Sequence, residues 1–263
     1  MMKLNKRYVG VAGCLLMTGM LMAPMDSDAR SRATARSTTN SGQAGLSTIV
    51  ASLPMQDLSA EEELGLTQMR EEEKLARDVY QVLYAKWGLQ TFSSIAQSEQ
   101  RHMDSIKAVL DKYSMPDPVT DCSVGAFTDP ELQELYDALV AQGEQSLVDA
   151  LQVGATIEDL DIKDLYDLLE ETDNADIKVV YENLAKGSRN HMRSFTYQLS
   201  LNGAEYEAQF LTAEEIEDII TSPRERGQVD ENGEEVTSGS GGSSRSVGKG
   251  RSRGRSAGKG RRR

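Results

Sequence analysis

Residues 59–87, SAEEELGLTQMREEEKLARDVYQVLYAKW, carry the pattern that decides the fold class. Ser59 is a typical N-cap, acidic side chains fill the turn that follows it, and Gly88 comes directly after the last residue. Apolar side chains recur at spacings of three and four, which places them on one face of a helix. The stretch therefore predicts a long amphipathic helix whose apolar face is buried against other helices.

The rest of the middle of the chain shows the same helical signals. They predict further helices over 91–113, 129–142, 144–171 and 174–202, and a short last helix that begins at Thr212. Short turns join the first two long helices and the last two, whereas a long connection with a short helix of its own separates the two pairs. One long crossover among four long helices is typical of ferritin-like bundles. We therefore predict an all-α protein, a ferritin-like four-helix bundle over 47–222 with one long crossover and extra short helices.

Charge divides the chain into an acidic middle and a cationic end. The formal net charge is −13, but residues 237–263 carry nine Lys or Arg and no acid. Small polar residues over 30–46 predict a flexible linker, and the Gly, Ser, Arg and Lys content of 223–263 predicts a disordered basic tail. Because a cationic segment binds polyanions through charge, anionic polymers or a lipid surface are candidate partners of 237–263. A tail that only keeps the protein in solution is the alternative.

The first 29 residues have the organisation of a secretory signal peptide. Three basic residues precede an uncharged, mostly apolar run, and Ala29 ends a small-residue cleavage site. The prediction is an exported protein, located in the periplasm, in the cell envelope or outside the cell. A retained membrane anchor is one alternative, and a lipoprotein with its lipid on Cys14 is another. Removal of the signal peptide would leave Cys122 as the one cysteine, so no disulfide within the chain is expected.

Polar side chains interrupt the predicted inner face of every long helix. A buried carboxylate is costly unless it is paired or binds a metal ion, so these interruptions are candidate ligands. The chain has two histidines, and both occur at such positions. The predicted metal ligands, in chain order, are Glu73, Glu99, His102, Glu158, Asp161 and His191.

The spacing of two of these residues favours a dinuclear site. Glu99 and His102 form a Glu-x-x-His motif, in which both side chains lie on one helix face. Di-iron and di-manganese bundles use a Glu from each of two helices and a Glu-x-x-His from each of the other two. Here the second motif has Ser188 in place of its Glu. Asp161 could supply the missing carboxylate; otherwise the site would hold one ion, or a pair with water in the gap.

The ligand from the first helix is not decided by periodicity alone. Glu71, Glu72 and Glu73 are consecutive, and the apolar stripe of this helix can be drawn in two ways. The pattern by itself therefore leaves these three glutamates open.

Four segments together resemble a known family. They are MREEEKLARDVY from Met69, SEQRHM from Ser98, GATIEDLDIKDL from Gly154 and YENLAKGSRNHMRSF from Tyr181. Over about 58–203 the chain resembles the ferritin-like proteins classed as domain of unknown function 2202, and it is more distantly similar to bacterioferritin and rubrerythrin. The latter resemblance rests on a Glu followed by Tyr seven residues later, then Glu-x-x-His, and it favours Glu73 with Tyr80. The resemblance implies a ferritin-like bundle and allows an iron or manganese pair, but it implies no established activity.

Two classes of function are compatible with these features. A carboxylate-rich iron site with open positions reacts with dioxygen or peroxide, so a ferroxidase or peroxidase-type oxidoreductase is the leading expectation. Its reductant would come from another molecule, because the chain has no Cys-x-x-Cys pair. The alternative is a non-catalytic binding module of the cell envelope or extracellular space. A homodimer is a further candidate assembly.

Overall fold

The computed structural model describes residues 41–236, and side chains from residue 45 onward. This range contains seven helices and no strand apart from one isolated bridge between Val229 and Glu235. In chain order they are α1 Ser41–Ser52, α2 Ala60–Trp87, α3 Gln90–Lys112, α4 Pro130–Gly143, α5 Leu147–Glu171, α6 Ala175–Leu201 and α7 Ala213–Thr221. The all-α prediction is confirmed.

The helices begin and end where local capping chemistry favours it. The Ser59 hydroxyl accepts the Glu62 N–H at 3.1 Å, and the Glu62 carboxylate accepts the Ser59 N–H at 2.9 Å, which is a capping box. Helix α2 ends at Gly88, whose φ of 67° is left-handed and suits glycine. A second capping box between Thr212 and Glu215 begins α7. These ends lie within a few residues of the predicted ones because their signals are local in sequence.

The four long helices pack as two antiparallel pairs. Helix α2 packs along α3 and α5 along α6, and the pairs meet where α2 contacts α5 and α3 contacts α6. Helix α4, which belongs to the long connection, covers part of α2 and α5. These contacts agree with a four-helix bundle with one long crossover, and the finer assignment as ferritin-like stays a prediction.

Two apolar clusters divide the interior along the helix axes. On α3, for example, Ile95 belongs to one cluster and Ile106 to the other. On α6, Phe195 belongs to the same cluster as Ile95, and Leu184 belongs to the same cluster as Ile106. The polar interruptions of all four long helices lie between the two clusters, so the packing brings them to one level of the bundle.

A buried ionic network fixes the long connection to α2. Asp78 is fully buried and receives Nζ of Lys74 at 2.6 Å and Nε of Arg77 at 2.8 Å. It also accepts the N–H of Gly125 at 3.0 Å, and Lys74 donates to two carbonyl oxygens of the same connection. No role was predicted for these residues from the sequence, because their partners in the long connection lie 45 to 52 residues further along the chain.

The prediction of a flexible linker over 30–46 is wrong for residues 41–46, which belong to α1. Leu46 and Val50 are four residues apart and buried, and α1 contacts α3 and α6. Tertiary packing therefore stabilises a helix in a segment whose composition is typical of a linker. Residues 30–40, the predicted signal peptide and Cys14 lie outside the described residues.

The folded part also extends beyond the predicted boundary at residue 222. Arg189 on α6 forms a bidentate ion pair with Glu225, with N–O distances of 2.9 and 2.5 Å. Further along, Val229 is buried and its N–H donates to Asn183 at 3.1 Å. The prediction of disorder is therefore wrong for 223–236, where these contacts outweigh a low apolar content. The rest of the predicted tail lies outside the described residues.

Deletion of residues 237–263 is expected to leave the helical circular dichroism signal unchanged, because all seven described helices end before this segment. Deletion from residue 223 is the matched comparison. It removes Glu225 and Val229 and is expected to lower the melting temperature. A large loss of helical signal in the shorter deletion would show that the tail is structural.

None of the helices between residues 41 and 236 combines the length and apolar character that crossing a membrane requires.

Candidate metal centre

Five of the six predicted ligands form two buried groups that share one carboxylate. The first group joins Glu73, Glu99 and His102, and the second joins Glu99, Glu158 and His191. Within each group, one potential ligand atom per residue lies within 4.8 Å of the others. Helices α2, α3, α5 and α6 each contribute at least one side chain. The site is therefore built by the whole bundle and not by one local motif.

The first group lies between α2 and α3. Nδ1 of His102 is 2.7 Å from Oε2 of Glu99 and 3.2 Å from Oε2 of Glu73. Glu99 and His102 are three residues apart on α3 and so project from the same face. Glu73 reaches them from α2, the helix that packs along α3. Two carboxylates and one imidazole thus converge on a common point.

The second group repeats this arrangement between α5 and α6. Nδ1 of His191 is 2.9 Å from Oε1 of Glu99 and 3.3 Å from Oε2 of Glu158. The two oxygens of Glu99 therefore face different histidines. The imidazole rings of His102 and His191 are stacked, with their centroids 5.5 Å apart. Glu99 lies between two equivalent ligand sets, which is the position of a bridging carboxylate.

The sixth predicted ligand, Asp161, lies beside these groups and belongs to neither. Its Oδ2 accepts a hydrogen bond from the Ser188 hydroxyl. Ser188 occupies the place where a second Glu-x-x-His would have its Glu. A carboxylate from α5 thus approaches the position that a glutamate on α6 would have filled.

Of the three consecutive glutamates of α2, Glu73 points into the cluster and is 1% exposed. Glu71 is half-buried outside both groups. Glu72 accepts a hydrogen bond from Gln68 at 2.9 Å and lines a neighbouring cavity. The structure therefore brings to the histidines the residue that the resemblance favoured.

Two features near the ligands were not predicted as part of the site. The Tyr80 hydroxyl donates to Oε1 of Glu158 at 2.7 Å, the oxygen that does not face His191. A Cβ at Gly187 would lie 2.5 Å from Nε2 of His102, so only glycine allows α6 this close to the imidazole. The Glu–Tyr spacing drew attention to Tyr80, whereas nothing local in the sequence marks Gly187.

Protonated imidazoles balance the charge of Glu99 in the metal-free protein. Burial disfavours the ionised carboxyl, but His191 and His102 outweigh burial and hold the pKa of Glu99 below its usual range. Burial also disfavours charged His191, yet Glu99 and Glu158 raise the pKa of its imidazole to about 10. The pKa of His102 is raised by Glu99 against the same effect of burial. A cation that binds His191 must therefore displace the proton of its imidazole.

The other carboxyls of the cluster favour their neutral forms. Burial, followed by the charges of Asp161 and Glu99, raises the pKa of Glu73 well above its usual range. Burial and the charge of Glu158 do the same for Asp161. For Glu158, burial raises the pKa more than His191 lowers it. Each of these three carboxyls has its pKa raised by the charge of a neighbouring carboxylate, and a multivalent cation among them would relieve that repulsion.

The donor set fits a divalent transition metal. Carboxylate oxygens and imidazole nitrogens suit iron, manganese and zinc. Oε1 of Glu73 is buried and has no hydrogen-bond partner among the described residues. Because an unpaired buried polar atom is costly, this oxygen is available to an ion. Each of the two groups offers three ligand atoms that could hold such an ion, and Glu99 belongs to both groups.

The metal-free protein is expected to lose thermal stability as the pH rises from 6.5 towards 10. The folded-state pKa of His191, about 10, lies above the ordinary value of 6.5. Its contribution to folding is therefore complete below pH 6.5 and is lost as the pH rises through about 10. Because the pKa values of Glu73 and Asp161 are also raised in the folded state, ionisation of these two carboxyls likewise lowers stability as the pH rises. Thermal unfolding of the chelator-treated chain across this range measures the effect.

His191→Gln, which lacks the titrating imidazole, is the control and should show a flatter dependence. An increase of melting temperature with pH in the metal-free wild type would contradict the assigned protonation states.

Together, fold and site define an all-α protein with a buried carboxylate–histidine cluster at the centre of four long helices. Residues 62–223 match the family described as an uncharacterized protein domain, DUF2202, and the chain belongs to that family. The resemblance seen in the sequence is thereby confirmed.

The chain is also similar to a protein of Methanocaldococcus jannaschii. Uncharacterized protein MJ0754 is 58% identical over 178 residues, which are 68% of this chain and 96% of that protein. A crystal structure of MJ0754, described as a hypothetical protein, gives a TM-score of 0.65 at 59% identity. The structural match covers 66% of this chain and 99% of the MJ0754 chain.

Proposed function

We propose that this protein is an exported metal-binding protein whose centre holds two iron or manganese ions and reacts with dioxygen or peroxide. One observation carries the proposal: the two oxygens of Glu99 face two separate histidine–carboxylate groups. A single structural ion would need one such group, whereas a shared carboxylate between two groups is the arrangement of dinuclear bundles.

The chain's own residues would bind the ions, orient their ligands and exclude bulk water. Glu99 and the two histidines are nine-tenths buried or more, as are Glu73 and Glu158. Tyr80 holds one oxygen of Glu158, which leaves the other directed at His191. With iron bound, two Fe(II) would supply the two electrons that reduce one peroxide to water, or one dioxygen to peroxide, with protons taken up from the solvent.

Metal analysis of the purified full chain tests the proposal. We expect about two ions of iron or manganese per chain after anaerobic loading, as in dinuclear carboxylate bundles. About one ion per chain would indicate a mononuclear site weakened by Ser188. Absence of metal after loading would contradict the proposal and leave the cluster as a structural network.

Tyr80→Phe is expected to weaken metal binding without unfolding the protein. The phenyl ring keeps the packing against Phe92 and Phe195 but cannot hold Glu158. Loss of an outer hydrogen bond to a ligand typically lowers metal affinity by about 10–100-fold. Competition with a chromophoric chelator measures that affinity. Tyr197→Phe, an exposed tyrosine on α6, is the control, and equal affinities in all three proteins would contradict the role of Tyr80.

The alternative proposal is a non-catalytic envelope or extracellular binding module. Ser188 favours it, because its hydroxyl pairs with Asp161 where dinuclear bundles have a ligating glutamate. In either case the nine cations of 237–263 would contact anionic polymers or lipids through charge. Stable metal binding without oxidation of loaded Fe(II) in air would favour this alternative.

A further inference from the structure

A cavity of about 30 Å³ lies between α2, α4 and α5, next to the metal centre. Leu75 and Ala76 line it from α2, Leu135 and Leu139 from α4, and Ile157 from α5. A cavity that holds one water needs roughly 10–15 Å³ on this measure, so there is room for one small molecule. Two of the lining residues come from helix α4, so the long crossover helps to shape this cavity.

The walls of the cavity favour an uncharged molecule of low polarity. Most of its lining side chains are aliphatic. Its three polar side chains, Glu72, Thr156 and Asp161, already have partners. Thr156 accepts a hydrogen bond from Gln209 at 3.0 Å, Asp161 accepts one from Ser188, and Glu72 accepts one from Gln68 at 2.9 Å. Apolar cavities in proteins stay dry and take up apolar guests such as xenon. An ion or hydrogen peroxide would lose its hydration here without full compensation.

The cavity borders the cluster through the same helices that carry the ligands. Ala76 follows Glu73 by three residues on α2, and Ile157 directly precedes Glu158 on α5. Asp161 lines the cavity and also raises the pKa of Glu73, so its carboxyl lies close to both. Leu160 and Asp161 remain partly exposed, which places the solvent side of the cavity there.

We propose that this cavity binds dioxygen-sized apolar molecules and delivers dioxygen, in preference to peroxide, to the metal centre. The binding part stands on the cavity alone, whereas the delivery part rests on the proposed function. Dioxygen is uncharged and nearly apolar, which matches the aliphatic walls, and one molecule fits the volume.

Dioxygen is paramagnetic, so binding can be measured on the full chain without metal. Methyl-labelled protein would be compared by NMR under nitrogen and under dioxygen pressure. We expect larger relaxation enhancement at Leu139 and Ile157 than at Leu66, Ile106 and Leu110, which are equally or more deeply buried in the other apolar cluster. Equal enhancement in both sets would overturn the binding site.

Leu139→Phe fills the cavity and should abolish the excess relaxation enhancement at the remaining reporter, Ile157. Leu132→Phe, on the same helix and equally buried but not lining the cavity, is the matched control and should keep it. Leu139→Ala enlarges the cavity and should increase the enhancement, which keeps the test valid if the phenylalanine variant does not fold. Unchanged enhancement in both Leu139 variants would overturn the assignment.

The delivery step is tested with Fe(II)-loaded protein. We expect Leu139→Phe to slow oxidation by dioxygen and to leave oxidation by hydrogen peroxide and the metal content unchanged. Equal slowing with both oxidants would overturn the preference for dioxygen. Failure of the chain to bind metal would overturn the proposed function and leave the NMR result on the cavity intact.

Discussion

Replacing Glu99 and His102 together by alanine is expected to abolish metal retention while the helical fold persists. Glu99 is the one ligand common to both groups, so its loss removes a donor from each. Without His102, the first group keeps Glu73 alone, and the second keeps Glu158 and His191. In neither group do the remaining side chains supply the three or more protein ligands that stable transition-metal sites have. Elemental analysis and circular dichroism of the full chain measure the two outcomes.

The helices should remain because the changed side chains do not hold the bundle together. In the metal-free protein, Glu99 and His102 form an ion pair, and alanine removes both of these charges at once, while Glu158 remains as a partner of His191. Alanine also has the highest helix propensity. The matched control is Lys107→Ala with Asp111→Ala, an exposed ion pair on the same helix, which should retain metal. Unchanged metal content in the Glu99/His102 variant would contradict the assigned site.

A single variant separates a dinuclear from a mononuclear centre. His191→Ala removes a donor from the second group only and should leave the group of Glu73, Glu99 and His102 complete. We expect it to halve the metal content of a dinuclear protein. A complete loss would show instead that one ion binds between the two groups.

Asp78→Asn is expected to cause a large loss of stability although Asp78 lies outside the centre. The carboxylate pairs with two buried cations, Lys74 and Arg77, and accepts the N–H of Gly125. Asparagine keeps the size of the side chain but leaves both cations without their counter-charge. Breaking a buried ion pair by removing one partner typically costs about 3–5 kcal/mol. The free energy of unfolding in urea measures the effect.

Asp111→Asn provides the comparison on an exposed pair. Asp111 pairs with Lys107 on the surface of α3, and such pairs contribute about 0–1 kcal/mol. A change of that small size in Asp78→Asn would contradict the structural role of the buried network. Metal binding by Asp78→Asn below its melting temperature should stay close to wild type, because none of the proposed ligands contacts Asp78 among the described residues.

Much of the fold was predictable because its signals are local. Ser59, Gly88 and Thr212 mark helix ends through hydrogen bonds that span three or four residues. The spacing of three between Glu99 and His102 puts both side chains on one face of any helix. The inward positions of Glu158 and His191 follow from the same periodicity. Periodicity left Glu73 open beside Glu71 and Glu72, and the family resemblance favoured it.

Errors arose where contacts between distant segments outweighed local composition. Residues 41–46 and 223–236 have compositions typical of flexible segments, yet Leu46 and Val229 are buried against the long helices. No role was predicted for Lys74, Arg77 and Asp78, which are buried. Their burial depends on the connection after α3, which no pattern within α2 reveals.

By itself, the sequence determined the six helices that follow Ser59 and the apolar faces that they bury, because caps and helical periodicity act within a few residues. Only the tertiary structure decided that Glu99 divides its oxygens between His102 and His191, and that Ser188 pairs with Asp161. It also decided that α4 closes a cavity beside the centre. These features depend on the packing distances between helices that are far apart in the chain, and those distances are set only when all four helices bury their apolar faces together.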